Sequence, residues 1–305
     1  MTRGFVTVAT GNLSYYKVAA NLVRSFRLFD KETPFAIICD GENEYTKYFT
    51  DVVILKEPHR NYLDKFHILT DSPYDETIFI ESDCIIYRDL SHLWEMLSRE
   101  YDFTAFGYND SEFHWFTDKA YAAEKFFGDP EAKIPMFCPA YMFIRKGEVC
   151  NKIYDDCLRV IREIEADEKM RSDKKLYCRN AIRDDPVFFI AMALHGCRCV
   201  DDPAVGKCIF LPSQKRIDRI SLSKGQLDVY WDRELKDCNL LHFSSRRTRE
   251  EGLYPQQVLA LGLIEKGNTG LLLKIVESKP FFFVLDVYKK VTTKIRYKTK
   301  ALSNK

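Results

Sequence analysis

Two carboxylates one residue apart, Glu81 and Asp83, follow the apolar run Ile78-Phe79-Ile80. A short continuous apolar run bounded by polar residues reads as a buried parallel strand. In open α/β sheets, ligands bind outside the carboxyl ends of such strands. Two hard oxygen donors there suit a divalent cation, which would in turn hold a diphosphate. A solvated turn would carry the same pair, so the pattern gains weight only from its surroundings. Asp40 repeats the arrangement after Phe35-Ala36-Ile37-Ile38-Cys39 and could bind a nucleotide, although Asp40-Gly41 also makes an ordinary turn. Asp184 and Asp185 stand immediately before Pro186, where a helical pattern begins. There they read either as reactive acids or as a favourable helix N-cap.

Other chemistries have little support. Cys84, His59, His67 and His114 have no spacing that suggests a nucleophilic triad. Neither a Gly-x-x-x-x-Gly-Lys loop nor a Gly-x-Gly-x-x-Gly fingerprint occurs, which argues against ATPase and dehydrogenase readings. Cys197-Arg198-Cys199 is too tight for an ordinary zinc knuckle.

The elements that must position these residues alternate along the chain. Phe5 to Ala9 reads as a strand, followed by a loop and a helix carrying Tyr15, Val18, Ala19, Leu22, Val23 and Phe26 on one apolar face. Strands are expected at Phe35 to Cys39, Val52 to Leu55 and Thr77 to Ile80. A short helix falls at Tyr62 to Leu69 and another around Leu90 to Leu97. The middle of the chain adds strands at Tyr101 to Phe106 and Ala140 to Ile144, and helices near Ala120 to Phe127 and Val149 to Glu168. From Asp184 a buried helix runs toward Gly196. Strand–helix alternation of this kind indicates an α/β fold with a mostly parallel sheet and right-handed crossovers.

With 305 residues, of which 46% are hydrophobic, the chain can bury a sizeable core. A formal net charge of +1 gives no argument for nucleic acid. The charge is uneven, however: Pro280 to Lys305 holds seven Lys or Arg and one acid, Asp286. Ten cysteines without a disulfide-rich rhythm favour free thiols in a reducing compartment. Met1-Thr2-Arg3 runs straight into the first strand, so no signal peptide is expected and a cytoplasmic protein is. The run Phe281 to Leu285 is far too short to span a bilayer. Followed by Lys289, Lys290, Lys294, Arg296, Lys298 and Lys300, it suits a segment resting on an anionic membrane surface. It equally suits a solvated basic end whose aromatic run packs on the domain, and Thr293 to Lys300 also alternates like an amphipathic strand.

Several of these segments occur together in one known pattern. They are Phe5-Val6-Thr7-Val8-Ala9-Thr10 with Tyr15, Lys65-Phe66-His67-Ile68-Leu69, Tyr74 to Ile80, Glu81-Ser82-Asp83 and Asp89-Leu90. Over residues 4–97 the chain resembles nucleotide-sugar glycosyltransferases of the GT-A fold, most of all glycosyltransferase family eight. That family includes glycogenin and bacterial galactosyl- and glucosyltransferases. Its usual Asp-x-Asp stands here as Glu81-Ser82-Asp83. Its Asp-Gln pair is matched by Asp184-Asp185, and its late His-x-x-Gly-x-x-Lys only by His242, with Ser245 and Thr248 at the other positions. Cys138-Pro139-Ala140 stands in place of its Asn-x-Gly. These departures mark a divergent branch.

The resemblance implies a Rossmann-like GT-A domain over residues 1–265, with a basic, aromatic extension over 266–305. It implies transfer of a sugar from a nucleotide donor, UDP-hexose in the first instance and with retention, to a glycan, a lipid-linked saccharide or a protein. Mn²⁺ or Mg²⁺ would be held by Asp83 and His242, with Glu81 either a ligand or a contact to the donor ribose. Thr10 and Tyr15 would meet the base and ribose, unless Tyr15 belongs to the apolar helix face. Lys65 would approach the diphosphate, unless it is a solvated helix lysine. Arg246, with Arg247, could replace the missing clamp lysine. Asp184 would contact the transferred sugar, and Asp185 would lie near the anomeric carbon as nucleophile or cap. A front-side, ion-pair-like route needs no protein nucleophile. The rivals are a catalytically degenerate binding or scaffold protein of the same fold, and a nucleotidyltransferase. The glycine- and lysine-rich N-terminal loop of the latter is absent.

Overall fold

The apolar runs become strands with both faces covered. In this computed structural model, consecutive residues such as Phe5 and Val6, or Ile37 and Ile38, are all fully buried. Side chains alternate across a strand, so burial of both neighbours requires packing on each side of the sheet. The structure describes residues 1–98, 100–110, 116–178, 181–200, 208–210, 217–231, 234–243, 252–288 and 292. The chain divides into two compact units. The first comprises Met1–Val23, Glu32–Ser82 and Leu90–Val205; the second comprises Arg24–Lys31, Asp83–Asp89 and Gly206–Lys305.

The first unit holds a six-stranded sheet built from β1 (Arg3–Ala9), β2 (Phe35–Cys39), β3 (Asp51–Ile54), β4 (Glu76–Ile80), β6 (Phe103–Tyr108) and β7 (Met136–Arg145). Their order is β3-β2-β1-β4-β7-β6. The pairs among β3, β2, β1 and β4 are parallel, and β7 runs antiparallel to both its neighbours. Five strands therefore share one direction, the mostly parallel sheet that the alternation predicts.

One face of this sheet, including Val6, Ile38, Phe79 and Met142, joins a core with α4 (Glu148–Ala166) and α6 (Asp184–Leu194). On the other face, Phe5 meets Trp94 of α2 (His92–Leu97) edge-on at 5.3 Å. Helix α1 (Leu13–Phe26) turns Tyr16, Ala19, Ala20 and Val23 inward. Tyr15 is 37% exposed, so the inner tyrosine is Tyr16 and the apolar face begins one residue later than the sequence spacing gave. The segment Tyr62–Leu69 is a 3₁₀-helix, opened by the Asn61 side chain accepting from the Leu63 N–H at 2.8 Å. Helix α6 ends where expected, with Gly196 just beyond it at φ 66.

Gly107 lies where the β6–β7 register shifts. A Cβ there would meet the Met136 carbonyl and lie 2.6 Å from Phe137 Cα. Backbone cannot step aside as a side-chain end can. Gly107→Ala is expected to destabilise the protein by roughly 1–3 kcal/mol, seen as a lower urea midpoint. An unchanged midpoint would show that the strand pair gives way without cost.

The second unit contains β5 (Cys84–Ile86), β10 (Cys208–Phe210) and β14 (Leu240–His242), in the order β10-β14-β5. An antiparallel meander, β11 (Ile217–Ser221), β12 (Gln226–Trp231) and β13 (Glu234–Asp237), lies in the same unit. Among the described residues, three helices follow: α7 (Leu253–Glu265), α8 (Leu271–Val276) and α9, residues 279–288. None of these short strands stood out in the sequence, because their alternation is brief and broken by charges. Among the described residues, no helix is long and apolar enough to cross a membrane, and the eight cysteines whose side chains are described are free.

Candidate functional site

Thr10, Asp40 and Glu81 each follow directly on a strand: β1, β2 and β4. Those strands are parallel neighbours, so all three residues lie at one edge of the first unit's sheet, its carboxyl edge. Thr10 donates its hydroxyl to Asp64 Oδ2 at 2.5 Å. Asp64 is fully buried and also accepts the His59 and Arg60 N–H groups at 2.7 and 2.8 Å. Arg60 is held at φ 58, a left-handed conformation uncommon outside glycine. That turn aims its Nε at Asp40 Oδ2, 2.8 Å away. Asp40 also accepts the Gly11 N–H at 3.0 Å and the Tyr16 hydroxyl. Burial works against the Asp40 carboxylate, but the Tyr16, Arg60 and Gly11 donors outweigh it and hold its pKa below the ordinary range. Burial, and then the bond to Asp40, push the Tyr16 hydroxyl well above its usual pKa. Asp40 thus braces the loop after β1, beside the exposed Tyr15.

Lys65 is not a solvated helix lysine. Its ammonium is buried and pairs with both Glu81 and Asp184. It also lies 5.8 Å from the Phe79 ring centre. Arg183 Nη2 pairs with Asp185 Oδ2 at 2.6 Å. Three carboxylates, Glu81, Asp184 and Asp185, are therefore set against two cations, Lys65 and Arg183. Burial disfavours the Lys65 ammonium, yet the Asp184, Glu81 and Asp185 charges outweigh it and hold its pKa above the usual lysine value. Asp184 moves up, out of the ordinary carboxylate range. Burial is the main cause, and Asp185 and Glu81 add to it against the pull of Lys65.

The helix-cap reading of the acid pair is corrected. The N-cap of α6 is Arg183, with no side-chain cap bond, and both aspartates lie inside the first turn. Carboxylates there still face the positive end of the helix dipole. Their oxygens, however, go to Lys65 and Arg183.

In the second unit, β14 pairs antiparallel with β5, and the register sets His242 opposite Cys84. The Phe243 N–H donates to the Asp83 carbonyl at 2.9 Å, which fixes the start of β5. Asp83 Oδ1 then lies 3.0 Å from His242 Nε2. With Cys84, these side chains offer a carboxylate oxygen, an imidazole nitrogen and a thiol, all within 4.8 Å of one another. A separation of about 3 Å is what neighbouring ligands of one small divalent cation adopt. Carboxylate and imidazole suit Mn²⁺, and the thiol extends the set toward softer metals. The residues fit a divalent cation.

Of the three ligands read from the sequence, Asp83 and His242 come together, while the Glu81 carboxylate is paired with Lys65. Arg246 lies outside the described residues. Sequence reasoning missed Arg60, Asp64, Cys84 as a donor and the Arg183–Asp185 pair. Asp64 directly precedes Lys65, where a matched segment begins, which was a usable signal. Arg60 gave none, because its role depends on a positive φ.

No protein-family model matches the chain, and no curated protein matches it in sequence. Among solved structures the chain is similar to the galactosyltransferase LgtC in complex with donor and acceptor sugar analogues. The identity is 12%, over 80% of this chain and 87% of that one, with a TM-score of 0.47. It is also similar to WbbM, a bifunctional glycosyltransferase, at 15% identity over 66% of this chain and 39% of that one, with a TM-score of 0.42. A third is the glycosyltransferase GlyE of Streptococcus pneumoniae, at 12% identity, 67% and 46% coverage and a TM-score of 0.41. The chain spans less than half the length of the WbbM and GlyE chains it matches.

Proposed function

We propose that the protein is a metal-dependent glycosyltransferase that takes a sugar from a nucleotide donor, a UDP-hexose, with retention of configuration. The acceptor is a glycan, a lipid-linked saccharide or a protein. The observation that carries this reading is the largely buried Glu81–Lys65–Asp184 cluster at the carboxyl edge of a mostly parallel sheet. Ionisable groups buried together at such an edge are where an α/β fold does chemistry. A divalent cation held by Asp83 and His242 would act as a Lewis acid, neutralising the diphosphate as the glycosidic bond breaks.

The protein's own groups have separate tasks in this account. The loop after β1, braced by Asp40 and Asp64, supports the nucleotide end of the donor through Thr10 and Tyr15. Lys65 is a fixed cation for developing negative charge, and needs no reorganisation because Glu81 and Asp184 already hold it. Asp184 orients the sugar hydroxyls. Asp185 is committed to Arg183, which favours a positioning role over a nucleophilic one and fits a front-side route.

A thermal-shift screen tests the donor assignment. UDP-sugars with Mn²⁺ are expected to raise Tm by several degrees, because a ligand that binds only the folded state stabilises it. ADP-sugars, or UDP-sugars with EDTA, should give little. Equal shifts for all nucleotides would remove the uridine assignment.

A further inference from the structure

The C-terminal helices of the second unit are well anchored on one side and bare on the other. Gln256 of α7 donates its amide to the carbonyls of Val276 at 2.6 Å and Ser278 at 3.2 Å, tying down the turn between α8 and α9. Leu273 and Val276 of α8 pack with Ala260, and Phe281 of α9 packs against the same cluster. Asp286 is buried, and its carboxylate faces the Gly252 N–H at the start of α7. A Cβ on Gly252 would lie 2.8 Å from the Asp286 backbone, so the two segments are in close contact.

The outward residues of α9 are Pro280, Phe283, Val284, Val287 and Tyr288, spaced i, i+3, i+4, i+7 and i+8. That spacing is one stripe of a helix. It is apolar and open to solvent, with Phe283 67% and Val284 65% exposed. Helix α8 repeats the pattern with Leu271, at 74% exposure, Leu272 and Ile275. The inner faces are already satisfied, so these outer stripes are not an unfinished core. Bare apolar surface of this kind marks an interaction site.

Charge selects the occupant. Lys274 and Lys279 are exposed on the same helices. Beyond Asp286 the sequence carries seven Lys or Arg and no acid. A second copy of the chain would bring two such basic ends together and be repelled. A bilayer of anionic lipid takes up apolar side chains at the acyl boundary and cations at the headgroups at once. We propose that α8 and α9 dock the protein on an anionic membrane surface, with Phe283, Val284 and Val287 entering the interface. This docking stands independently of the enzymatic reading. That the acceptor is membrane-borne rests on both.

The test uses the full chain and vesicles of phosphatidylcholine with and without 30% phosphatidylglycerol. The protein is expected to co-sediment with the anionic vesicles at low salt, and at least tenfold less with neutral ones. The exposed-residue triple variant Phe283→Ser, Val284→Ser, Val287→Ser should keep its melting temperature and lose at least tenfold in vesicle affinity. Absence of wild-type binding would overturn the proposal. So would equal binding by the triple variant, which would leave only the basic end at work. Self-association of the wild type, abolished by the triple variant, with no vesicle binding would assign the face to a second copy instead. Donor binding in the thermal-shift screen is read separately, so a failure of docking leaves the enzymatic proposal standing, and the reverse.

Discussion

Asp83→Ala is expected to lose Mn²⁺-dependent turnover by roughly a thousandfold or more, the rate equivalent of the several kcal/mol that a Lewis acid supplies. The fold should survive. The substitution keeps the Asp83 carbonyl that the Phe243 N–H uses, and so keeps the β5 start in place. It removes the carboxylate 3.0 Å from His242 Nε2. Calorimetry should show Mn²⁺ affinity falling with the activity, while the melting temperature shifts by only a few degrees. Turnover at the wild-type rate with Mn²⁺ affinity intact would mean that the cation binds elsewhere.

The second large effect separates stability from catalysis within one cluster. Lys65→Met leaves Glu81, Asp184 and Asp185 facing Arg183 alone. Removing one partner of a buried ion pair costs about 3–5 kcal/mol, because the remaining charge is stranded. The urea midpoint should fall accordingly. Asp184→Asn does the opposite to the charge count. It leaves two balanced pairs, Lys65–Glu81 and Arg183–Asp185. Its midpoint should hold or rise, while kcat drops on the order of a hundredfold, the usual cost of one lost transition-state contact. If Asp184→Asn lowers the midpoint as much as Lys65→Met and spares kcat, the cluster serves the fold and not the reaction.

Much of the first unit was legible in the sequence. Continuous apolar runs such as Phe35 to Cys39 and Ile78 to Ile80 have one physical reading when each is closed by polar residues. They gave the parallel strands and, with them, the positions of Asp40 and Glu81. The acid pair at Asp184-Asp185 was visible as a helix start, but which oxygens it would bond was not. That depends on Lys65, which lies more than a hundred residues earlier and is brought in by tertiary packing. Tyr15 and Tyr16 are adjacent, and helical periodicity alone could not decide which faced inward. The second unit was largely illegible. Its strands are three to six residues long and several carry charges, and the pairing of His242 with Cys84 is a register set by β14 and β5. The apolar stripe of α9 was hidden inside a run, Phe281 to Leu285, that looked uniformly apolar. Only the helix separates Phe281, packed inward, from Phe283, turned out.

The central claim is sugar transfer from a nucleotide donor assisted by a divalent cation. Its most direct measurement is release of UDP from a panel of UDP-hexoses by the wild-type chain, with Mn²⁺ and with EDTA, alongside Asp184→Asn. The account predicts that at least one UDP-hexose yields UDP with Mn²⁺. EDTA should bring the rate to background, and the folded Asp184→Asn variant should fall at least tenfold. Release that is unaffected by EDTA and by Asp184→Asn, or no release from any UDP-hexose by a folded, Mn²⁺-loaded protein, would contradict it.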